Sequence, residues 1–182
     1  LRGMTLKNRL VMSPMCQYSA EDGIVNDWHV VHLGSRAMGG TALVIAEMTD
    51  VSPEGRISHK CAGMYKPEHM PAWKRVVDFV HTHSDAKIGM QLGHAGRKAG
   101  CHVQWEGAGP LPEDQAWEII APSALPFSPE SQTPREMTRA DMERLIEAYA
   151  QAARWSEEAG FDMIEIHGGH GYLISSFISP LT

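Results

Sequence analysis

Three short segments gather residue types able to do chemistry. The first is Ile164-Glu165-Ile166-His167-Gly168-Gly169-His170-Gly171-Tyr172, where an apolar run delivers His167, and His170 and Tyr172 follow among glycines. Imidazole N–H groups can donate to an oxygen that gains negative charge, and a phenol can supply a proton. The glycines allow tight turns beside something bulky. Two other readings of these residues stay open. A His-x-x-His pair can serve zinc, but needs at least one further ligand, and the sequence has no HExxH. The segment can also be a structural turn with partly exposed histidines.

The second segment is Ser13-Pro14-Met15-Cys16-Gln17-Tyr18. Its polar atoms and soft thiol would face the same mouth as His167. Cys16 as a nucleophile would need an activating base, which the sequence does not show, and a buried core thiol is the plainer alternative. The third is Gln91-Leu92-Gly93-His94-Ala95-Gly96-Arg97-Lys98. A glutamine amide offers both donor and acceptor, which suits the edge of a heterocycle, or it can satisfy backbone groups.

Each segment ends a short apolar run, and those runs read as strands: Leu10–Met15, Ala42–Met48, Ala86–Leu92 and Asp162–His167. Nearly continuous apolar character is expected of parallel strands covered on both faces. Helical patterns fill the intervals. Trp28–Met38 stops at Gly39-Gly40, and Glu68–His83 puts Met70, Trp73, Val77 and Val80 on one face. Thr138–Ala159 opens with a Thr138/Asp141 capping box. Its apolar stripe is Met142, Leu145, Ile146, Tyr149 and Ala153, and Gly160 ends it.

Alternating strands and helices imply parallel βαβ units, in either an open doubly wound sheet or a closed barrel. A dinucleotide-binding sheet would carry GxGxxG after its first strand. Here Ser13-Pro14-Met15-Cys16 stands there, which favours the barrel. Four strands in 182 residues make about half of an eight-unit barrel, the N-terminal half of a (β/α)₈ TIM barrel. Between Gly96 and Thr138 lies a long insertion holding Pro110, Pro112, Pro122, Pro126, Pro129 and Pro134, expected as a structureless loop on the face that bears active sites. Chemistry-bearing residues at the ends of three different strands are how barrel sites are assembled.

Composition narrows the function classes. The chain has 43% hydrophobic and 21% charged residues, ordinary for a globular protein. A net charge of −6 gives no basic footprint for nucleic acid. The longest clearly apolar run, Ala42–Ala46, is far below the roughly 20 residues of a membrane helix. Cys16, Cys61 and Cys101 are odd in number and widely spaced, which argues against a disulfide framework and fits a reducing cytoplasm. The chain starts at Leu1 and stops at Thr182 just after a structured-looking segment, so both ends are expected to be cuts.

Ser13–Ser19, Gln91–Lys98, His167–Leu173 and Ser179–Leu181, in this order, resemble the Old Yellow Enzyme family of flavin oxidoreductases. The nearest subgroup is the thermophilic-like one, with a cysteine and then a tyrosine after the first strand. The resemblance implies residues 1–182 to be a partial FMN-binding TIM-barrel domain. It implies noncovalent FMN, reduction by NAD(P)H, and hydride transfer to activated C=C bonds of α,β-unsaturated carbonyl compounds. By the same resemblance, Ser13, Pro14, Met15, Cys16 and Gln91 would contact the flavin, with Cys16 tuning its potential. His167 and His170 would bind the substrate carbonyl oxygen, Tyr172 would donate the proton, and Tyr18 would shape the pocket. No metal enters this set.

Two departures stand out. Met48 occupies a flavin-contacting position where the family usually has a small residue. The insertion, with Trp105-Glu106-Gly107 and Pro110-Leu111-Pro112-Glu113, resembles the reductase part of bifunctional aromatic acyl-CoA monooxygenase/reductases. The implied partners are therefore a small enone or an aromatic acyl-CoA, with a homo-oligomer for the complete protein. From another class, a half-barrel can be a non-catalytic remnant or an interface module.

Overall fold

The structure, a computed structural model, describes residues 3–182; Leu1, where the chain starts, lies outside them. In chain order the elements are β1 (Val11–Met12), α1 (Asp27–Met38), β2 (Leu43–Asp50), α2 (His69–His83), β3 (Lys87–Gly93), β4 (Ile120–Ala121), β5 (Arg135–Glu136), α3 (Arg139–Ala159), β6 (Met163–Ile166) and α4 (Leu173–Ile178). Local signals explain the longer helices. Asn26 caps α1 in a box with His29, and Thr138 caps α3 in a box with Asp141. Gly160, in the left-handed conformation, ends α3. No helix among the described residues is long and apolar enough to cross a membrane.

The main sheet is parallel throughout, in the order β1-β2-β3-β6. This order never reverses, as a doubly wound sheet would at its switch point. Side-chain alternation fixes the layers. Ile88, Met90 and Leu92 of β3 join Leu33 of α1, Trp73, Val76, Val77 and Val80 of α2 and Ala152 of α3 in one core. Trp73 is 0% exposed, and truncating a buried aromatic of this size typically costs about 3–5 kcal/mol. The intervening positions face the other way: a Cβ on Gly89 would meet Met163 of β6 and Ile45 of β2, and Gln91 meets Glu165. Helices on one face and side chains from neighbouring strands on the other make a barrel wall.

Several expectations change. The first strand covers only Val11–Met12, because Ser13 onward leaves the ladder to form the mouth. The insertion is structured: it carries 3₁₀ turns at Gly96–Lys98 and Gln104–Glu106 and the small parallel pair β4-β5, and it buries Ile119, Ile120 and Leu111. Its prolines prevent long elements, but its apolar residues still find a core. The α3 stripe is shifted. Leu145 and Ala152 are buried, whereas Ile146 is 69% exposed, since only one flank of α3 is covered. Helix α4 follows the His-Gly segment where no helix was expected; six residues are too few for a periodic signal.

Candidate active site

The C-terminal ends of the sheet strands bring the three segments together. Cys16, Tyr18 and Tyr172 pack on one small core of Met48, Ile57, Cys61, Ala95, Ala99 and Ile119. His167 follows β6, and its N–H donates to Leu92 O at 2.9 Å, which extends the β3–β6 ladder to the mouth. The chain then turns sharply. His170 has φ of 59° and Gly171 68°. A non-glycine residue in this left-handed region is uncommon and marks an imposed conformation. Ser175 Oγ donates to Gly169 O and Tyr172 O, both at 3.0 Å, and Ser176 Oγ donates to Gly171 O at 3.2 Å, so the start of α4 braces the turn.

This turn stacks three rings edge to face. His167 and His170 have centroids 5.0 Å apart, His167 and Tyr172 5.2 Å, and His170 and Tyr172 6.1 Å. His170 Nδ1 and His167 Nε2 lie 3.1 Å apart in a hydrogen bond. One of these nitrogens must donate and the other accept. Burial, then the neighbouring His170, lowers the His167 pKa, which keeps that imidazole neutral at pH 7. Two neutral imidazoles carry one N–H each, so an oxygen that accepts from both such rings takes the place of their mutual bond.

Burial raises the Tyr172 phenol above its ordinary range, with Cys16 and Tyr18 adding to the effect, so it carries its proton at neutral pH. Tyr18, at φ of 48°, is likewise raised by burial, and Trp105 of the insertion meets its ring at 6.2 Å. Burial, then the nearby acidic groups Glu47 and Asp50, pushes the Cys16 thiol up to about 12. A thiol so disfavoured as thiolate is no nucleophile. Among the described residues, no group of three or more His, Cys, Asp or Glu is placed to hold a metal ion.

The residues present suit the ring of a flavin. Gln91, 6% exposed, uses Nε2 toward Glu165 Oε1 at 2.5 Å. No hydrogen bond of the described residues engages its Oε1, so the amide keeps an acceptor for a heterocycle edge. Met15 is 48% exposed, and Ser13 is exposed beside it, so the loop after β1 offers open surface. Cys16 and Pro14 are half-buried. Met48 behaves differently from its neighbours. It is 2% exposed, and its side chain lies so close over Gly93 that a Cβ there would clash with Met48 Cγ. It supports the mouth from below.

Glu165 and Lys98, which lie within the segments singled out along the chain but had no role there, and Glu47, which lies outside them, join the site. Lys98 Nζ donates to His170 O at 2.6 Å and sits 5.6 Å from the Tyr172 ring centroid. Glu47 is the extra residue of a bulge between Ala46 and Met48; buried at 3%, it accepts from Gln17 N–H at 3.0 Å and pairs with His29 Nε2 at 3.2 Å. It thereby anchors the loop that carries Cys16 and Tyr18. A charged residue inside an apolar run was the one available signal for Glu47 and Glu165.

Comparison with known proteins gives a consistent picture. The profile of the NADH:flavin oxidoreductase / NADH oxidase family matches residues 1–182. An NADPH dehydrogenase from Geobacillus sp. is 50% identical over 184 residues, which is 100% of this chain and 50% of that protein. Morphinone reductase in complex with tetrahydroNAD superimposes with a TM-score of 0.84 at 27% identity, over 98% of this chain and 50% of that one. Old Yellow Enzyme from Pichia sp. AKU4542 gives a TM-score of 0.82 at 33% identity, over 96% of this chain and 46% of that one. The chain thus spans about half the length of the relatives it matches.

Proposed function

Since this chain belongs to the NADH:flavin oxidoreductase / NADH oxidase family, we propose that it forms the substrate-facing half of an FMN-dependent NAD(P)H oxidoreductase that reduces activated C=C bonds. The observation that carries this reading is the His167–His170–Tyr172 ring cluster at the mouth shared with Cys16 and Gln91. When bound, FMN supplies the carrier that takes hydride from NAD(P)H and delivers it to an alkene. Ser13, Pro14, Met15 and Cys16 would hold the ring from the β1 side, Met48 from below, and Gln91 at its polar edge.

The protein side chains do the rest. His167 and His170 exchange their mutual bond for N–H donation to the substrate carbonyl oxygen, which draws charge from the alkene. Tyr172, kept protonated by burial, donates its phenolic proton to the α-carbon. Tyr18 closes the pocket beside it. Cys16 stays a neutral thiol and contacts the ring without attacking substrate.

Separate half-reactions of the complete protein test this. His167→Ala should slow alkene reduction by about 100- to 1,000-fold, the loss typical of one donor to a developing oxyanion. Flavin reduction by NAD(P)H should fall far less. Tyr172→Phe should show the same split with unchanged FMN content. Equal losses in both halves would assign these residues to flavin holding and overturn the proton-donor role.

A further inference from the structure

Beside the ring cluster lies a recess of about 410 Å³ that the proposed reaction does not use. Tyr18 and Tyr172 border it from the site, Phe127 and Gln132 from the insertion, and Arg97 and Lys98 from the turn after β3. Neither His167 nor His170 lines it. The two cations are adjacent and both half-buried, unlike the exposed Lys7, Arg9, Arg36 and Lys60. Elsewhere Arg135 pairs with Glu118 and Asp141, Arg144 with Glu54, and Lys74 with Asp78. Among the described residues, no carboxylate stands within ion-pair distance of Arg97 or Lys98.

What the two cations do contact is neutral. Arg97 Nη1 reaches Pro126 O at 3.5 Å, Arg97 Nε is buried without a partner, and the guanidinium lies 5.9 Å from the Phe127 ring centroid. Lys98 Nζ lies 4.3 Å from the same ring and donates to His170 O. Burial, and then the charge of Arg97, lowers the Lys98 pKa. Two partly desolvated like charges are costly until an anion joins them. Glu130, the one carboxylate on the recess wall, accepts from Ser128 Oγ at 3.0 Å and is exposed; His102, also on the wall, faces Glu106 at 3.5 Å.

We propose that this recess is an anion subsite: it takes a carboxylate or phosphate carried by a ligand whose reacting part lies at Tyr172, a placement that rests on the ene-reductase reading. A guanidinium and an ammonium side by side are the donors such oxygens require. The anionic group belongs either to the alkene substrate or to the 2′-phosphate that distinguishes NADPH from NADH, and kinetics separate the two.

The complete, flavin-loaded protein is titrated with inorganic phosphate by calorimetry at low ionic strength, where such contacts are least screened. Saturable binding is expected, weakened about tenfold in Arg97→Gln and recovered in part by Arg97→Lys. Ser131→Asp, which adds a carboxylate to the same wall, should weaken it as well and serves if Arg97→Gln fails to fold. Absence of saturable phosphate binding, or equal binding by wild type and the variants, overturns the subsite. Then 4-oxopent-2-enoate is compared with its methyl ester, and NADPH with NADH. A fall in the acid-to-ester ratio of kcat/KM in Arg97→Gln places the anion on the substrate; a fall in the NADPH-to-NADH ratio of flavin reduction places it on the reductant. If both ratios stay unchanged, the subsite is overturned. Phosphate binding with no alkene reduced by wild type would sink the ene-reductase reading and leave the subsite standing.

Discussion

Asp50, the last residue of β2, is 0% exposed, and neither of its carboxyl oxygens has a hydrogen-bond partner. Burial raises its pKa well above 3.8, Arg56 opposes this, and Glu47 and Glu54 add to it. The folded state therefore keeps a proton that the unfolded chain releases. Stability from this group is intact below pH 3.8 and falls as pH rises toward the folded pKa. Each pH unit in that window removes up to about 1.4 kcal/mol. Asp50→Asn should match wild type near pH 4 and be more stable at pH 8, as thermal melts across pH will show; parallel profiles would refute it. His167 runs with the opposite sign. Its folded pKa is lowered, so its contribution is present above 6.5 and lost as pH falls through the folded value.

At the scale of elements, the contact between the turn after β3 and the start of α4 sets where Tyr172 stands. Gly96 has φ of 58°, and a Cβ there would meet Leu173 N and Cα at 3.1 Å. Leu173 N–H also donates to His94 O at 3.0 Å, which locks the two segments together. Gly96→Ala forces a left-handed alanine, at about 1–2 kcal/mol, and pushes α4 away by its backbone. Gly107 provides the control: its φ is 102° but nothing lies within 4 Å of its Cβ position. Both variants should lower the melting temperature. On the activity proposed above, only Gly96→Ala should also slow alkene reduction more than flavin reduction, because Tyr172 moves with α4. Equal kinetics in the two variants would show that α4 is not positioned by this contact.

Across the whole molecule the barrel wall has two open edges. At one edge Leu10 and Val11 are 59% and 43% exposed; at the other, Ile164 and Ile166 are 36% and 63% exposed. Beside β6 an apolar groove of about 370 Å³ runs between α3 and α4, lined by Met142, Leu145, Tyr149, Ile166, Leu173 and Phe177. Unpaired strand edges and apolar patches of this kind promote association. Expressed by itself, the 182-residue chain should self-associate and bind FMN only weakly, since barrel phosphate sites come from the loops after strands 7–8. Light scattering and flavin fluorescence measure both. A monomer that binds FMN stoichiometrically at micromolar concentration would contradict this.

Much of this was legible along the chain. The βα alternation, the capping of α3 by Thr138 and Asp141, and the delivery of His167, Gln91 and Cys16 to strand ends all follow from local periodicity and turn chemistry, which act over a few residues. Other features depended on chain segments far apart in sequence. Which face of β3 met helices was decided by parallel pairing with β2 and β6, because a parallel strand can be apolar on both faces. Glu47 lay hidden in an apolar run because only a bulge, set by the register against β3, turns it toward His29 and Gln17. The insertion read as structureless because its prolines dominate local propensity, while Ile119, Ile120 and Leu111 are buried by contacts that no window of sequence contains. The pairing of Gln91 with Glu165, 74 residues away, likewise exists only once the sheet has formed.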